Sequence, residues 1–285
     1  MTKHIKTALV VEGGAMRSIF SAGLLDGFIA RQFNPFDVHI GVSAGAYNLL
    51  CYLTGEQNKS RHIFEDFACS RHFINIARFL RGGDLIDLDW LEHIAFDDSH
   101  LDVQSAYQHN TAFYVTLSDV YSGQPVYVKT QANNVRQLIK ASAALPLLYR
   151  NFPQINGRPV ADGGVADGIP VAEAMRLGAR KIMVIRARPE RYIKKDSIGH
   201  WFIRWNTCRH PALKATMKRR TQIFDDSLSL IRKPPEGIRI IEICPPEKFT
   251  LGRFERNRDK LNDGYELGYQ LADNAMQRWH AIESI

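Results

Sequence analysis

The sequence predicts a layered α/β protein with a mostly parallel central sheet, and three observations carry that reading. Thr7–Val11 is a short apolar run rich in β-branched residues, the pattern of a strand buried on both faces, and residues 37–42 are a second strand candidate. Each run is followed by a tight turn and then by apolar residues at helical spacing. Strands that alternate with helices in this way form a layered domain with a parallel sheet. A length of 285 residues, with 45% hydrophobic and 24% charged, suits one large domain or two small ones. The same composition excludes a disordered, collagenous or coiled-coil chain.

The elements follow in order. Thr7–Val11 is the first strand and ends at Glu12-Gly-Gly-Ala-Met-Arg-Ser18. Ile19, Ala22, Leu25, Phe28 and Ile29 then mark a helix that a Phe-Asn-Pro-Phe turn at 33–36 breaks. Residues 37–42 are the second strand and 43–53 the second helix, closed by Gly55. Residues 60–96 read as amphipathic helix interrupted at Arg81-Gly-Gly83. Residues 111–117 and Pro125–Lys129 alternate around Ser122-Gly123 and suggest a hairpin. A helix over 134–144 stops at Pro146. Residues 158–161 lead into Asp162-Gly-Gly164, and Pro170 opens a helix that Gly178 closes. Strands at 181–187 and 238–244 and a mostly helical stretch over 255–282 complete the chain.

The net charge of +7 is unevenly spread. Residues 186–260 carry 19 Lys and Arg against 9 Asp and Glu, so the rest of the chain is slightly acidic. We therefore expect a catalytic domain over residues 5–190 and a basic C-terminal extension over 191–285 packed on it. Cys51, Cys69, Cys208 and Cys244 have neither a zinc-ligand nor a disulfide-framework spacing, so reduced thiols are expected. No apolar stretch approaches the ~20 residues of a membrane helix, and the run at 8–11 is too short for a signal-peptide core. The expected location is cytoplasmic.

Three motifs carry chemistry. Gly41-Val-Ser43-Ala-Gly45 is a G-x-S-x-G at a strand-to-helix junction, where flanking glycines permit the sharp turn that exposes a serine oxygen. A random chain of this composition would contain ~0.07 such matches, and the strand–turn–helix setting supports a nucleophile over a tight-turn serine. Gly13, Gly14, Ala15 and Met16 form a glycine-rich turn entering a helix, suited to an anion or oxyanion or to close backbone packing. It matches neither the NTP-binding loop nor the dinucleotide fingerprint. Asp162, followed by Gly163 and Gly164, presents an unshielded carboxylate or makes an Asx turn. Asp167 is assigned to capping the helix that Pro170 opens.

In this order the three motifs resemble the signature of the bacterial patatin-like phospholipase family: a glycine-rich oxyanion loop, G-x-S-x-G and D-G-[GA]. The resemblance covers roughly residues 5–190. It implies a three-layer α/β/α fold and a Ser43–Asp162 dyad that hydrolyses lipid acyl esters through an acyl-serine. It implies an oxyanion hole from Gly13, Gly14, Ala15 and Met16. Arg17 matches the family's basic position, and Gly41, Gly45, Gly163 and Gly164 match its supporting positions. No metal, cofactor or catalytic histidine is implied. Two residues depart from the pattern, Ala15 and Ser18, where the family has glycines. If position 15 requires positive φ, alanine is strained there.

Other readings remain open on the residues. A Ser–His–Asp esterase would draw on His200, His210 or His280, while His39 is assigned to packing beside its strand. A catalytically degenerate protein that binds lipid or membrane is the other alternative. Residues 198–220 mix Trp201, Trp205 and cations, which suits either peripheral contact with an anionic membrane or a solvated helix face over a core. No nucleic-acid partner is expected, since no recognised motif accompanies the charge.

Overall fold

The computed structural model describes residues 6–108, 111–192 and 210–282. Among the described residues, eight strands form the central sheet: β1 (Thr7–Val11), β2 (Val38–Val42), β3 (Ala112–Asp119), β4 (Pro125–Lys129), β5 (Gln154–Ile155), β6 (Arg158–Asp162), β7 (Lys181–Ile185) and β8 (Arg239–Ile243). Their order is β5-β6-β3-β2-β1-β7-β8, with β4 also paired to β3. The run from β8 through β7, β1 and β2 to β3 is parallel, whereas β4, β5 and β6 pair antiparallel. The helices are α1 (Ile19–Ala30), α2 (Ala44–Thr54), α3 (Lys59–His62), α4 (Ile76–Leu80), α5 (Leu88–His93), α6 (Val135–Ala143), α7 (Val171–Arg176), α8 (Pro211–Arg232), α9 (Arg258–Gln270) and α10 (Ala272–Ala281).

Strand periodicity divides the core into layers. In β1, Leu9 and Val11 join the apolar cluster built with α1, α2 and α9, while Ala8 and Val10 join a second cluster with α7 and α8. The result is the three-layer α/β/α arrangement. The C-terminal segment is woven into it. β8 extends the sheet beside β7, and α9 lies directly on α1. That approach depends on glycine: a Cβ on Gly23 would sit 2.0 Å from the Tyr265 carbonyl oxygen, and one on Gly268 would sit 2.1 Å from that of Phe20.

Two stretches differ from the sequence reading. Residues 60–96 form short helices, with π-helical turns at Ile63–Ala68 and Ile94–Asp98, rather than a helix with one break. Their apolar residues line a curved cavity wall, which one straight stripe would not follow. The sequence marks the 22-residue α8 only as a basic helical face; Leu213, Met217, Phe224, Leu228 and Ile231 bury its other side. Residues 193–209, which include His200, Trp201, Trp205 and Cys208, lie outside the described residues.

The sheet's register brings two chain ends together. β2 pairs with β3 up to Val42 opposite Thr116, and β6 takes over the same edge at Asp162 opposite Leu117. The end of β2 at Ser43 therefore meets the end of β6 at Asp162. β1 runs beside β2 with Val11 opposite Gly41, so Gly13 follows at the level of Ser43.

Candidate active site

Ser43 occupies a strained turn between β2 and α2, with φ 53° and ψ −129°. That region is almost reserved for glycine and costs of order 1–3 kcal/mol in any other residue. Close packing holds the turn. A Cβ on Gly41 would lie 2.5 Å from the Ala46 Cα, and one on Gly45 would lie 2.7 Å from the Glu12 carbonyl oxygen. The Ser43 N–H donates to the Ser142 hydroxyl at 2.7 Å, and that hydroxyl donates to the Thr116 carbonyl at 2.7 Å. Ser142 on α6 thus ties the turn to β3, although no sequence motif singles it out.

The register of β2, β3 and β6 sets Ser43 beside Asp162, and the Ser43 hydroxyl is among the groups that favour the Asp162 carboxylate. Asp162 is 3% exposed, and its Oδ1 also accepts the Gly164 N–H at 2.7 Å. Asp162 therefore both makes the tight turn and faces Ser43. Burial raises its pKa above the ordinary aspartate value. The nearby Arg220 cation, the Ser43 hydroxyl and the Gly164 amide pull it back. Gly163 is obligatory in this turn, since a Cβ there would lie 2.2 Å from the Thr116 carbonyl oxygen.

The glycine-rich turn packs against this pair. A Cβ on Gly13 would meet the Val42 carbonyl oxygen at 2.8 Å, and one on Gly14 the Ala187 Cβ at 2.6 Å. Ala15 has φ 50°, the conformation that the glycine pattern anticipates. Ser18, by contrast, is right-handed helical, so glycine has no conformational advantage there. The Met16 N–H donates to the Arg253 carbonyl at 3.3 Å, so it is not free as the motif suggests; the 253 loop folds across it. Among the described residues, the amides of Gly13, Gly14 and Ala15 have no such partner.

Beneath the turn, Glu12 anchors it to the sheet. Its Oε2 accepts both the Ala187 N–H at 2.8 Å and Arg186 Nε at 3.0 Å. Arg186, whose side chain is fully buried, also pairs with Glu242 on β8. An acid before the glycines and an arginine ending a buried strand are the signals in the sequence for this network.

Ser43, Ala15 and Met16 lie on the wall of a cavity of about 920 Å3, counting its open mouth. Tyr47, Ile63, Phe64, Leu91, Phe96 and Ile139 are among its lining residues, and apolar side chains dominate it. Among the described residues, no histidine lines it. His39 is buried against Phe36 and Tyr52, His210 meets Phe152 edge-on, and His280 meets Phe33. Asp167 is not the N-cap of α7; it accepts the Ile169 N–H and the Tyr127 hydroxyl, since Pro170 occupies the cap position. Among the described residues, no group of His, Cys, Asp and Glu could hold a metal ion. None of their helices is long and apolar enough to cross a membrane.

The model of one family, the patatin-like phospholipases, matches residues 9–175. That of a domain of unknown function, DUF6363, matches residues 210–283. The uncharacterized protein YjjU of Escherichia coli strain K12 is 34% identical over 268 residues, spanning 92% of this chain and 75% of that protein. Among solved structures, VipD from Legionella pneumophila is similar with a TM-score of 0.51 at 12% identity. The match covers 98% of this chain and 67% of that one, and it is a likeness of fold.

Proposed function

The chain belongs to the patatin-like phospholipase family, a family of lipid acyl hydrolases, and on that premise we propose that it cleaves lipid acyl esters through Ser43 and Asp162. The observation that carries this reading is the strand register that sets Ser43, at the end of β2 on the wall of an apolar cavity, beside the buried Asp162 at the end of β6. The acyl chain occupies the cavity, which brings the ester carbonyl to Ser43. Asp162 takes the hydroxyl proton as Ser43 Oγ attacks, and burial makes this carboxylate a stronger base than a solvated one. The amides of Gly14 and Ala15, with that of Gly13 beside them, stabilise the oxyanion.

Collapse of the tetrahedral adduct breaks the bond to the alcohol, which leaves with the proton from Asp162. Water then attacks the acyl-serine with Asp162 again as base, releasing the fatty acid and restoring Ser43. In this reading residues 5–190 form the catalytic domain, and 191–285 are an extension that adds β8 and covers α1. The test is hydrolysis of p-nitrophenyl acyl esters of graded chain length by wild type and Ser43→Ala. Turnover confined to wild type, with an optimum at medium or long chains, supports the reading. Equal turnover in both contradicts it.

A further inference from the structure

Among the described residues, four large apolar side chains are exposed: Ile76 (65%), Leu80 (79%), Tyr121 (64%) and Phe254 (43%). Three of them adjoin the cavity that holds Ser43. Ile74 and Ile86 both line that cavity and meet as an antiparallel bridge, so residues 75–85 between them form a finger that leaves its wall. α4 lies in this finger, and Ile76 and Leu80, four residues apart, share one face of it. Phe254 lines the cavity and is exposed as well, which places it at the mouth. Its loop touches the base of the finger, where Arg256 Nε donates to the Cys69 carbonyl at 3.0 Å.

The exposure is built into the finger. Arg78 stitches its two limbs together: the guanidinium donates to the carbonyls of His72 and Phe73 on one side, to that of Asp84 on the other, and to the Asp87 carboxylate. The Asn75 side chain caps α4 by accepting the Arg78 N–H at 2.8 Å. A finger tied this firmly at its base holds Ile76 and Leu80 in water although both are apolar. Adjoining apolar side chains held out in this way mark a contact surface.

The charge around them selects the partner. Arg71, Arg81, Arg150 and Arg256 are exposed on the finger and beside it, and Arg150 lies over the Phe79 ring at 5.2 Å. The acids of the finger and of the Phe254 loop are partly buried and already engaged. Asp84 accepts the Arg150 N–H, Asp87 holds Arg78 and caps α5, and Glu255 accepts the N–H groups of Arg256 and Asn257. The outer face is therefore apolar with a cationic border. That is the complement of an anionic bilayer, where cations meet the headgroup charge and apolar side chains enter the layer beneath.

We propose that α4 and the Phe254 loop dock the protein on an anionic membrane surface, with Ile76 and Leu80 inserted at the headgroup level and Arg71, Arg81, Arg150 and Arg256 against the lipid phosphates. This surface is distinct from residues 198–220, which the sequence marks for such contact. On the reading of Ser43 as nucleophile, the docked cavity opens onto the bilayer and an acyl chain enters it without crossing water. The docking surface itself does not depend on that reading.

The test uses the full chain and vesicles of two parts phosphatidylcholine to one part phosphatidylglycerol, both ether-linked so that no acyl ester is present. In co-sedimentation, wild type and Ser43→Ala bind alike. The double variant Ile76→Ser/Leu80→Ser binds at least tenfold more weakly, and Arg71→Gln and Arg81→Gln each lower binding about fivefold at low salt. Leu80→Trp, which keeps a bulky interfacial side chain, retains binding. In kinetics, the double variant loses at least tenfold on vesicles of the ester-linked lipids and changes turnover of p-nitrophenyl butyrate, free in solution, less than twofold. That second substrate guards against loss of fold.

Vesicle binding indifferent to Ile76→Ser/Leu80→Ser overturns the proposal. If binding is lost instead in Trp201→Ser/Trp205→Ser, docking belongs to residues 198–220. If wild type is instead a dimer that Ile76→Ser/Leu80→Ser dissociates, with vesicle binding unchanged, the patch belongs to a second copy of the chain. Absence of turnover on every ester defeats the hydrolase reading, and vesicle binding then decides the docking surface by itself.

Discussion

Ala15 and Ser43 stand side by side at the ends of β1 and β2, and both hold a positive φ, 50° and 53°. Neither is glycine, so both turns carry backbone strain, and in the proposed reaction that strain falls where the amides and the hydroxyl face one carbonyl. For Ser43 the side chain gives the strain a use. Ala15 contributes only a methyl group on the cavity wall.

Ala15→Gly therefore relieves strain without removing a functional group. The expected outcome is a gain of about 0.5–1 kcal/mol in stability, with equal or higher kcat. Urea unfolding and ester hydrolysis measure both. A loss of stability would show that the Ala15 methyl contributes more by packing than its conformation costs.

Under the proposed mechanism, Asp162 sets the acidic limb of activity. Its pKa is raised above the ordinary 3.8 chiefly by burial, and Arg220 is the first opposing influence. The base works only as carboxylate, so kcat/KM falls as pH falls through the raised value. Arg220→Gln removes a cation that favours the carboxylate and shifts the limb to higher pH, while Arg220→Lys shifts it less. A pH profile unmoved by Arg220→Gln would separate this arginine from the base.

Much of this site is legible in the sequence because tight turns demand small residues in fixed order. Gly41, Gly45, Gly13 and Gly163 are all contact-limited, and a chain cannot conceal such requirements. The strands are equally plain, since β1, β2 and β7 are buried on both faces. The cavity wall over residues 60–96 is not, because an apolar stripe reads alike whether it covers a core or lines a hollow. Nor are Ser142 and Arg220. Each acts through a contact with a residue 56 or more positions away, and a serine or an arginine in a helix carries no mark of that partner.

Asp167 governs a separate response to pH. Burial pushes its carboxyl up to about 6 from the ordinary 3.8, against the hydrogen bond from Tyr127. The folded chain keeps this proton to higher pH than the unfolded chain, so stability falls as pH rises from about 4 to 6, and the loss persists above that. Asp167→Asn retains an acceptor for Tyr127 and removes the titration. It should be more stable than wild type at pH 8 by on the order of 2 kcal/mol, a difference absent at pH 4. Identical stability profiles for the two proteins would contradict this.

Arg186 joins Glu12 to Glu242 with its side chain wholly buried. Arg186→Met leaves two carboxylates without their cation, and a broken buried pair costs about 3–5 kcal/mol. Because Glu12 anchors the glycine-rich turn, activity should fall well before the unfolding midpoint in urea. Activity that survives unchanged up to the midpoint would uncouple the network from the turn.

The most direct test of the central claim is active-site phosphonylation read by mass spectrometry. A long-chain fluorophosphonate should add one label per chain, on the peptide containing Ser43, with no labelling of Ser43→Ala. Asp162→Asn should label at a rate lower by about 10²–10⁴-fold, the usual contribution of a general base. Labelling at another residue, or at an equal rate in Asp162→Asn, would contradict the Ser43–Asp162 dyad.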